Sequence, residues 1–288
     1  MLHLCQMRLL KRSIHSNRLP VILAILVVAI YFINAAPGSL WKKVDNGLFI
    51  GEFLSPQKSV TGDSKIIIVK IDPRKYELKL LTASEYKHSN LTINQWCKKY
   101  NLIAGINAGM FQGDYSSNVG YMKNFNHTNN SKINSKYLSA AAFNPVDKSK
   151  AGFRIFDIDE TKIKDILNNY RTVIQNLRLI KRPGKNRWSQ QSKKWSEAAL
   201  GQDREGNILF IFSRSPFSMH DLNKILLKLP IRLVCAQHLE GGPEASLFFS
   251  HNGMKLELVG SFETGFNEDN ENTAFWPIPN VLGIIKRN

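Results

Sequence analysis

From Lys65 onward the chain alternates short β-branched or aromatic runs with turn-forming clusters, so strands must outnumber helices. Lys65–Ile71 (KIIIVKI) and Glu77–Thr82 flank the turn signal Asp72-Pro73-Arg74-Lys75 and read as a hairpin. Glu197–Gly201 and Asn207–Phe212, around Asp203-Arg204-Glu205-Gly206, read as another. The clearest is Ala245–Ser250 with Lys255–Val259, because Asn252-Gly253 supplies the positive φ angles of a type I′ turn. Further strands are expected at Ile103–Asn107, Leu138–Phe143, Phe153–Ile158, Thr172–Gln175, Arg178–Ile180, Arg232–Ala236 and Val281–Ile285. Helical signals stand singly between them. Thr92-Ile93-Asn94-Gln95 is a capping box opening a short helix, and Glu160–Asn168 has helical spacing. Ser218-x-x-Asp221 opens a third helix, which Pro230 stops. Gln112–Lys136 is polar and reads as a long loop. The expected class is α+β: a largely antiparallel sheet with a few flanking helices, one domain over residues 47–286.

The N-terminus constrains location rather than fold. Residues 1–18 carry Arg8, Lys11, Arg12 and Arg18 and no acid, and an apolar stretch over residues 19–36 follows, interrupted by Pro20. This is the pattern of a secretory signal or of a single uncleaved anchor with its N-terminus in the cytoplasm. The expected location is therefore exported, periplasmic or extracytoplasmic, with membrane contact through residues 19–36 if they are retained. The whole chain has a formal charge of +16, from 39 Lys and Arg against 23 Asp and Glu. An acidic partner is implied. Export argues against nucleic acid. Cys97 and Cys235 would face an oxidising space, where they either pair or stay buried as thiols.

Three places could carry chemistry. Asn107-Ala108-Gly109-Met110-Phe111 ends a strand in a small-residue turn. Asn107 offers an amide acceptor and two donors suited to sugar hydroxyls, and Gly109 allows close backbone approach; an ordinary strand end reads equally well. His238-Leu239-Glu240-Gly241-Gly242-Pro243-Glu244 forms a loop after a buried strand and gathers an imidazole, two carboxylates and two glycines. Glycoside cleavage needs a proton donor and a second group, usually a carboxylate, and glycine N–H groups can cradle an anion. His238 and Glu240 share a face if the strand continues; a tight turn with solvated acids is the plain alternative. Between Ile166 and Ser196 lie eight basic residues and no acid, interleaved with Trp188 and Trp195. These cations could hold a phosphate or form a solvated face. His-x-Glu alone is a weak metal pattern, so no cofactor is expected and a divalent metal is unsupported.

Five segments in order carry a family resemblance. They are Ile106–Phe111, Val173-Ile174-Gln175-Asn176, Ala198-Ala199-Leu200-Gly201-Gln202-Asp203 with Gly206, His238–Leu247, and Pro279-Asn280-Val281-Leu282. Together they resemble the phosphodiester glycosidase family over about residues 47–286. The resemblance implies a hydrolase that cleaves a sugar from a glycosyl-1-phosphodiester, with a small or polymeric sugar-phosphate substrate. Asn107 would orient the sugar, Glu240 would be base or nucleophile, and His238 or Glu244 would tune it or supply the proton. Gly109, Gln175, Asn176, Asp203, Gly241 and Gly242 would bind substrate, the glycine pair through N–H groups. Two positions depart from the family pattern: Glu240 replaces an Asp, and the region of an expected Arg reads Ser196-Glu197-Ala198. The alternative is a catalytically silent module that binds anionic cell-envelope glycan or lipid.

Overall fold

Three antiparallel sheets share one apolar interior. The structure is a computed structural model and describes residues 40–287, and Trp41–Asn288 cluster as one unit. The basic segment 1–18 and the apolar stretch 19–36 lie outside the described residues. Among the described residues no helix is long and apolar enough to cross a membrane.

The first sheet runs, in spatial order, β1 (Trp41–Asp45), β2 (Leu48–Leu54), β3 (Lys65–Ile71), β14 (Ile208–Phe217), β13 (Trp195–Asp203), β15 (Leu233–Gly241), β11 (Arg178–Lys181) and β12 (Lys185–Asn186). The second runs β7 (His127–Asn130), β6 (Met122–Asn124), β10 (Tyr170–Asn176), β8 (Ser139–Pro145) and β9 (Phe153–Asp157). The third runs β17 (Met254–Val259), β16 (Ser246–His251), β5 (Ala104–Asn107), β18 (Asn280–Lys286) and β4 (Tyr76–Thr82).

The two-residue period of a strand explains how one sheet serves two cores. Along β14, Ile208, Phe210 and Phe212 enter the interior shared with Ile106, Phe249 and Leu282 of the third sheet and Ile174 and Phe143 of the second. Leu209 and Ile211 point the other way, onto helix α4 (Met219–Lys228), where Leu222, Ile225 and Leu226 cover them. The other sheets repeat the scheme. Helix α2 (Ile93–Lys99), following the short α1 (Ala83–Tyr86), lays Ile93 and Trp96 on the third sheet. Helix α3 (Ile163–Asn169) lays Ile166 on the second. Each large apolar side chain so buried contributes about 1.5–3 kcal/mol. The capping readings hold: Gln95 Oε1 accepts from Thr92 N at 3.0 Å, and Ser218 Oγ accepts from Asp221 N at 3.1 Å.

Several expectations need correction. The largely antiparallel strands and few helices are as expected, but they form three sheets, and the body is sheet-rich rather than clearly α+β. The hairpin of Lys65–Ile71 with Glu77–Thr82 does not form: β3 pairs with β2 and β14, and β4 with β18. The intervening turn is helical in character, since both Lys75 N and Tyr76 N donate to Asp72 O, and it carries the chain from the first sheet to the third. The polar segment Gln112–Lys136 contains β6 and β7. His238–Gly241 lie on β15 itself, with only a 3₁₀ turn at Gly242–Glu244. Cys97 and Cys235 are free and buried in separate clusters; burial pushes the Cys235 thiol up to about 12.

Candidate active site

One end of the β13–β15 pair gathers the acids. Glu197 lies opposite Gly241, Ala198 opposite Glu240 and Ala199 opposite His238, with a register shift between the last two pairs. Leu239 is thus the extra residue of a β-bulge. Bulges re-aim side chains and are common beside active sites. Here the bulge corrects the shared face expected of His238 and Glu240. His238 pairs with Ala199 of the α4-facing set and Glu240 with Ala198 of the interior-facing set. Yet at this end of the strands both meet the same two carboxylates, since Glu197 and Glu263 act on Glu240 and on His238 alike.

On the α4 side, His238 Nδ1 lies 2.6 Å from Glu197 Oε1, both side chains being buried. The Trp195 indole N–H donates to Glu197 Oε2 at 2.7 Å, and its ring meets the imidazole edge-on at 6.2 Å. Both oxygens of Glu197 are therefore engaged; a carboxylate there accepts from an Nδ1–H, and among the described residues Nε2 has no hydrogen bond. The residue standing where the family pattern expects an arginine thus orients the histidine.

A strap over residues 260–276 closes the other side. Ser196 N donates to Phe262 O at 2.8 Å, and Thr264 N to Lys194 O at 3.0 Å. The Arg214 guanidinium donates to the carbonyls of Val259, Asn270 and Asn272. This pinning sets Glu263 against Gly242, where a Cβ would collide with the carboxylate. Gly242 has φ +63. A Cβ on Gly241 would stand 2.8 Å from Trp195 Cδ1. The glycine pair therefore admits an indole and a carboxylate, and the Gly241 N–H is taken by Glu240 Oε1 at 3.1 Å.

The electrostatics are one-sided. Burial raises the Glu240 carboxyl well above the ordinary range, and the charges of Glu244, Glu263 and Glu197 add to it. Burial also raises Glu244, helped by Glu263. It raises Glu263 too, against the pull of His238 and Lys193. Carboxyls so crowded share protons instead of all ionising.

The Asn107 side chain reaches the backbone of the turn that carries Glu244. Its Nδ2 donates to Glu244 O at 3.0 Å and its Oδ1 accepts from Ser246 N at 2.8 Å, so it ties β5 to the turn carrying Glu244. Gln175 is wholly engaged in holding the polar segment: Oε1 accepts from Tyr121 N and Asn134 N, and Nε2 donates to Asn134 O and Tyr137 O. Gly109 lets Asn118 Oδ1 and Asn176 Nδ2 pack against its backbone. Both atoms are buried without a hydrogen-bond partner. Asp203 is not brought to the acids. It lies about 20 Å along β13 from Glu197 and accepts from Asn207 N and Nδ2 at the β13–β14 turn. Among the described residues no three His, Cys, Asp or Glu side chains are grouped to hold a metal ion.

Sequence reasoning missed Glu263, for which no local signal exists, and the roles of Trp195 and Glu197. The Trp-x-Glu spacing on one strand face was the available clue.

A model of the phosphodiester glycosidase family matches residues 100–285. Comparison with curated proteins gives no match. Among solved structures, one similar chain is the zebrafish N-acetylglucosamine-1-phosphodiester alpha-N-acetylglucosaminidase catalytic domain, auto-inhibited by its pro-peptide. It superposes with a TM-score of 0.59 at 17% identity, over 85% of this chain and 86% of that one. A hypothetical protein from Synechocystis gives 0.57 at 14% identity, over 84% of this chain and 62% of that one. At such identities the likeness is one of fold.

Proposed function

The chain belongs to the phosphodiester glycosidase family, and from that premise we propose that it hydrolyses glycosyl-1-phosphodiesters, releasing the sugar from its phosphate. The observation that carries this reading is the split environment of two groups one bulge apart. Glu240 is buried and crowded by Glu244, Glu263 and Glu197, which raises its proton affinity. His238 is fixed by Glu197 through Nδ1, and among the described residues its Nε2 has no hydrogen bond. Opposed environments of this kind divide acid from base.

In this reading the Glu240 carboxyl donates its proton to the oxygen between the anomeric carbon and phosphorus. The bond between the anomeric carbon and that oxygen breaks, its electron pair stays with the oxygen, and the phosphate leaves as a monoester. His238 Nε2 takes the proton of the water that adds to the anomeric carbon. The role of base, first assigned to Glu240, passes to the histidine, and Glu197 stabilises the imidazolium. Asn107 positions Glu244 instead of touching the sugar. The basic residues ahead of the apolar stretch support export of this body, with the anionic substrate met outside the cytoplasm.

The test is turnover of a chromogenic glycosyl-1-phosphodiester. Glu240→Gln should lose about 10²–10⁴-fold in kcat. In the wild type kcat should fall as pH rises through the elevated Glu240 value, since only the protonated form donates. No release by the wild type above the Glu240→Gln control, across several sugars, would remove the hydrolase reading and favour the silent binding module.

A further inference from the structure

We propose that a cleft beside Leu177 binds a second, non-scissile phosphate carried by a sugar on the leaving-group side of the substrate. Its place on the reaction path rests on the glycosidase reading; its ligand chemistry does not. The cleft encloses about 400 Å³ and is lined by Lys136, Leu138, Leu177, Arg187, Trp188 and Gln191, together with Arg178, Ser189 and Gln190. That volume suits a small-molecule site. It also adjoins the acids: Leu177 follows Asn176, and its carbonyl accepts the backbone N–H of His238 at 2.9 Å.

The charges are sorted. Arg178 donates to Asp157 at 3.1 Å and Asp159 at 2.7 Å, so its guanidinium is spent on the fold. Gln190 Nε2 is engaged by Asp221 Oδ2 at 3.0 Å. Lys136 and Arg187 are exposed, and among the described residues neither has an ion-pair partner. No carboxylate lines the cleft. Two unneutralised cations facing one hollow favour an anion, and the arginine fork can grip a phosphate through two N–H groups.

The remaining wall adds a sugar to that anion. Trp188 is half-buried and held at three points. Its indole N–H donates to Arg178 O at 2.7 Å, its backbone N–H to Asn186 Oδ1 at 3.1 Å, and its carbonyl accepts from His220 Nδ1 at 2.5 Å. A ring fixed before binding offers contact area without an ordering cost, and the Gln191 amide supplies donors and an acceptor for hydroxyls. A phosphorylated pyranose uses all of these groups. A neutral sugar leaves the cations unused.

Calorimetric titration of the full chain with glucose 6-phosphate, inorganic phosphate and glucose tests the cleft without turnover. Glucose 6-phosphate should bind most tightly, glucose should not register, and Lys136→Ala with Arg187→Ala should weaken the sugar phosphate at least ten-fold. Trp188→Ala should weaken glucose 6-phosphate while leaving inorganic phosphate unchanged. No binding by the wild type, or equal binding by the double variant, overturns the proposal. Inorganic phosphate binding as tightly as glucose 6-phosphate overturns its sugar component. The kinetic arm compares glycosyl phosphodiesters with and without a second phosphate on the leaving group. The double variant should raise KM only for the former. Turnover with no such difference sinks the cleft and spares the hydrolase. Binding without any turnover does the reverse.

Discussion

Glu197 shows how much one carboxylate can organise. Its two oxygens hold a buried imidazole and a half-buried indole, so Glu197→Ala leaves both without their acceptor. Chemical denaturation should show a loss of about 1–3 kcal/mol, and kcat should fall alongside it. Glu197→Gln, which keeps the shape and one acceptor, should recover most of the stability but not the activity; equal activity in Glu197→Gln and wild type would remove the orienting role. Glu263 makes a prediction of opposite sign. Its folded-state proton affinity is raised, so the folded state holds a proton that the unfolded chain releases near the ordinary carboxyl value of about 4.3. Stability is therefore lost as pH rises from there through the raised value. Glu263→Gln should melt higher than wild type at pH 8 and no differently near pH 3.5, as read by thermal denaturation across that range.

At the level of elements, the bulge at Leu239 and the strap do the positioning. Gly242 adopts a left-handed φ and abuts the strap's carboxylate. Gly242→Ala should cost about 1–2 kcal/mol for the backbone alone and displace Glu263, with a change in the pH profile of kcat as the readout; an unchanged profile would show that the strap does not set the acid cluster. Here the limits of the sequence are visible. The Asn252-Gly253 hairpin, the helix opened by Ser218 and the segments around Asn107 and Glu240 were legible because each is encoded by neighbours along the chain. The bulge was not, because it exists only in the register of β15 against β13. Glu263 was not, because the strap that carries it is held in place by hydrogen bonds from Lys194 N to Thr264 Oγ1 and from Ser261 N to Ser196 Oγ, across 70 and 65 residues of sequence. The false hairpin at Asp72 has the same origin: two good strands joined by a turn cannot reveal that β2 and β18 are better partners.

Across the whole molecule, three sheets around one interior divide the buried thiols. Cys97 packs under α2 on the third sheet, and Cys235 points into the common core. Reductant should leave the melting temperature unchanged to within about 2 °C, since a lost disulfide costs about 2–5 kcal/mol; a larger drop would mean the thiols are not free. The third sheet carries a different consequence. β18 follows every other described strand in sequence, yet it lies between β5 and β4, hydrogen-bonded to both. Until residues 280–286 have left the ribosome, that sheet has a gap in its middle and the shared interior stays open to water. Closure of the body therefore waits on this one late segment, and a lesion there should unfold all three sheets together instead of fraying one edge.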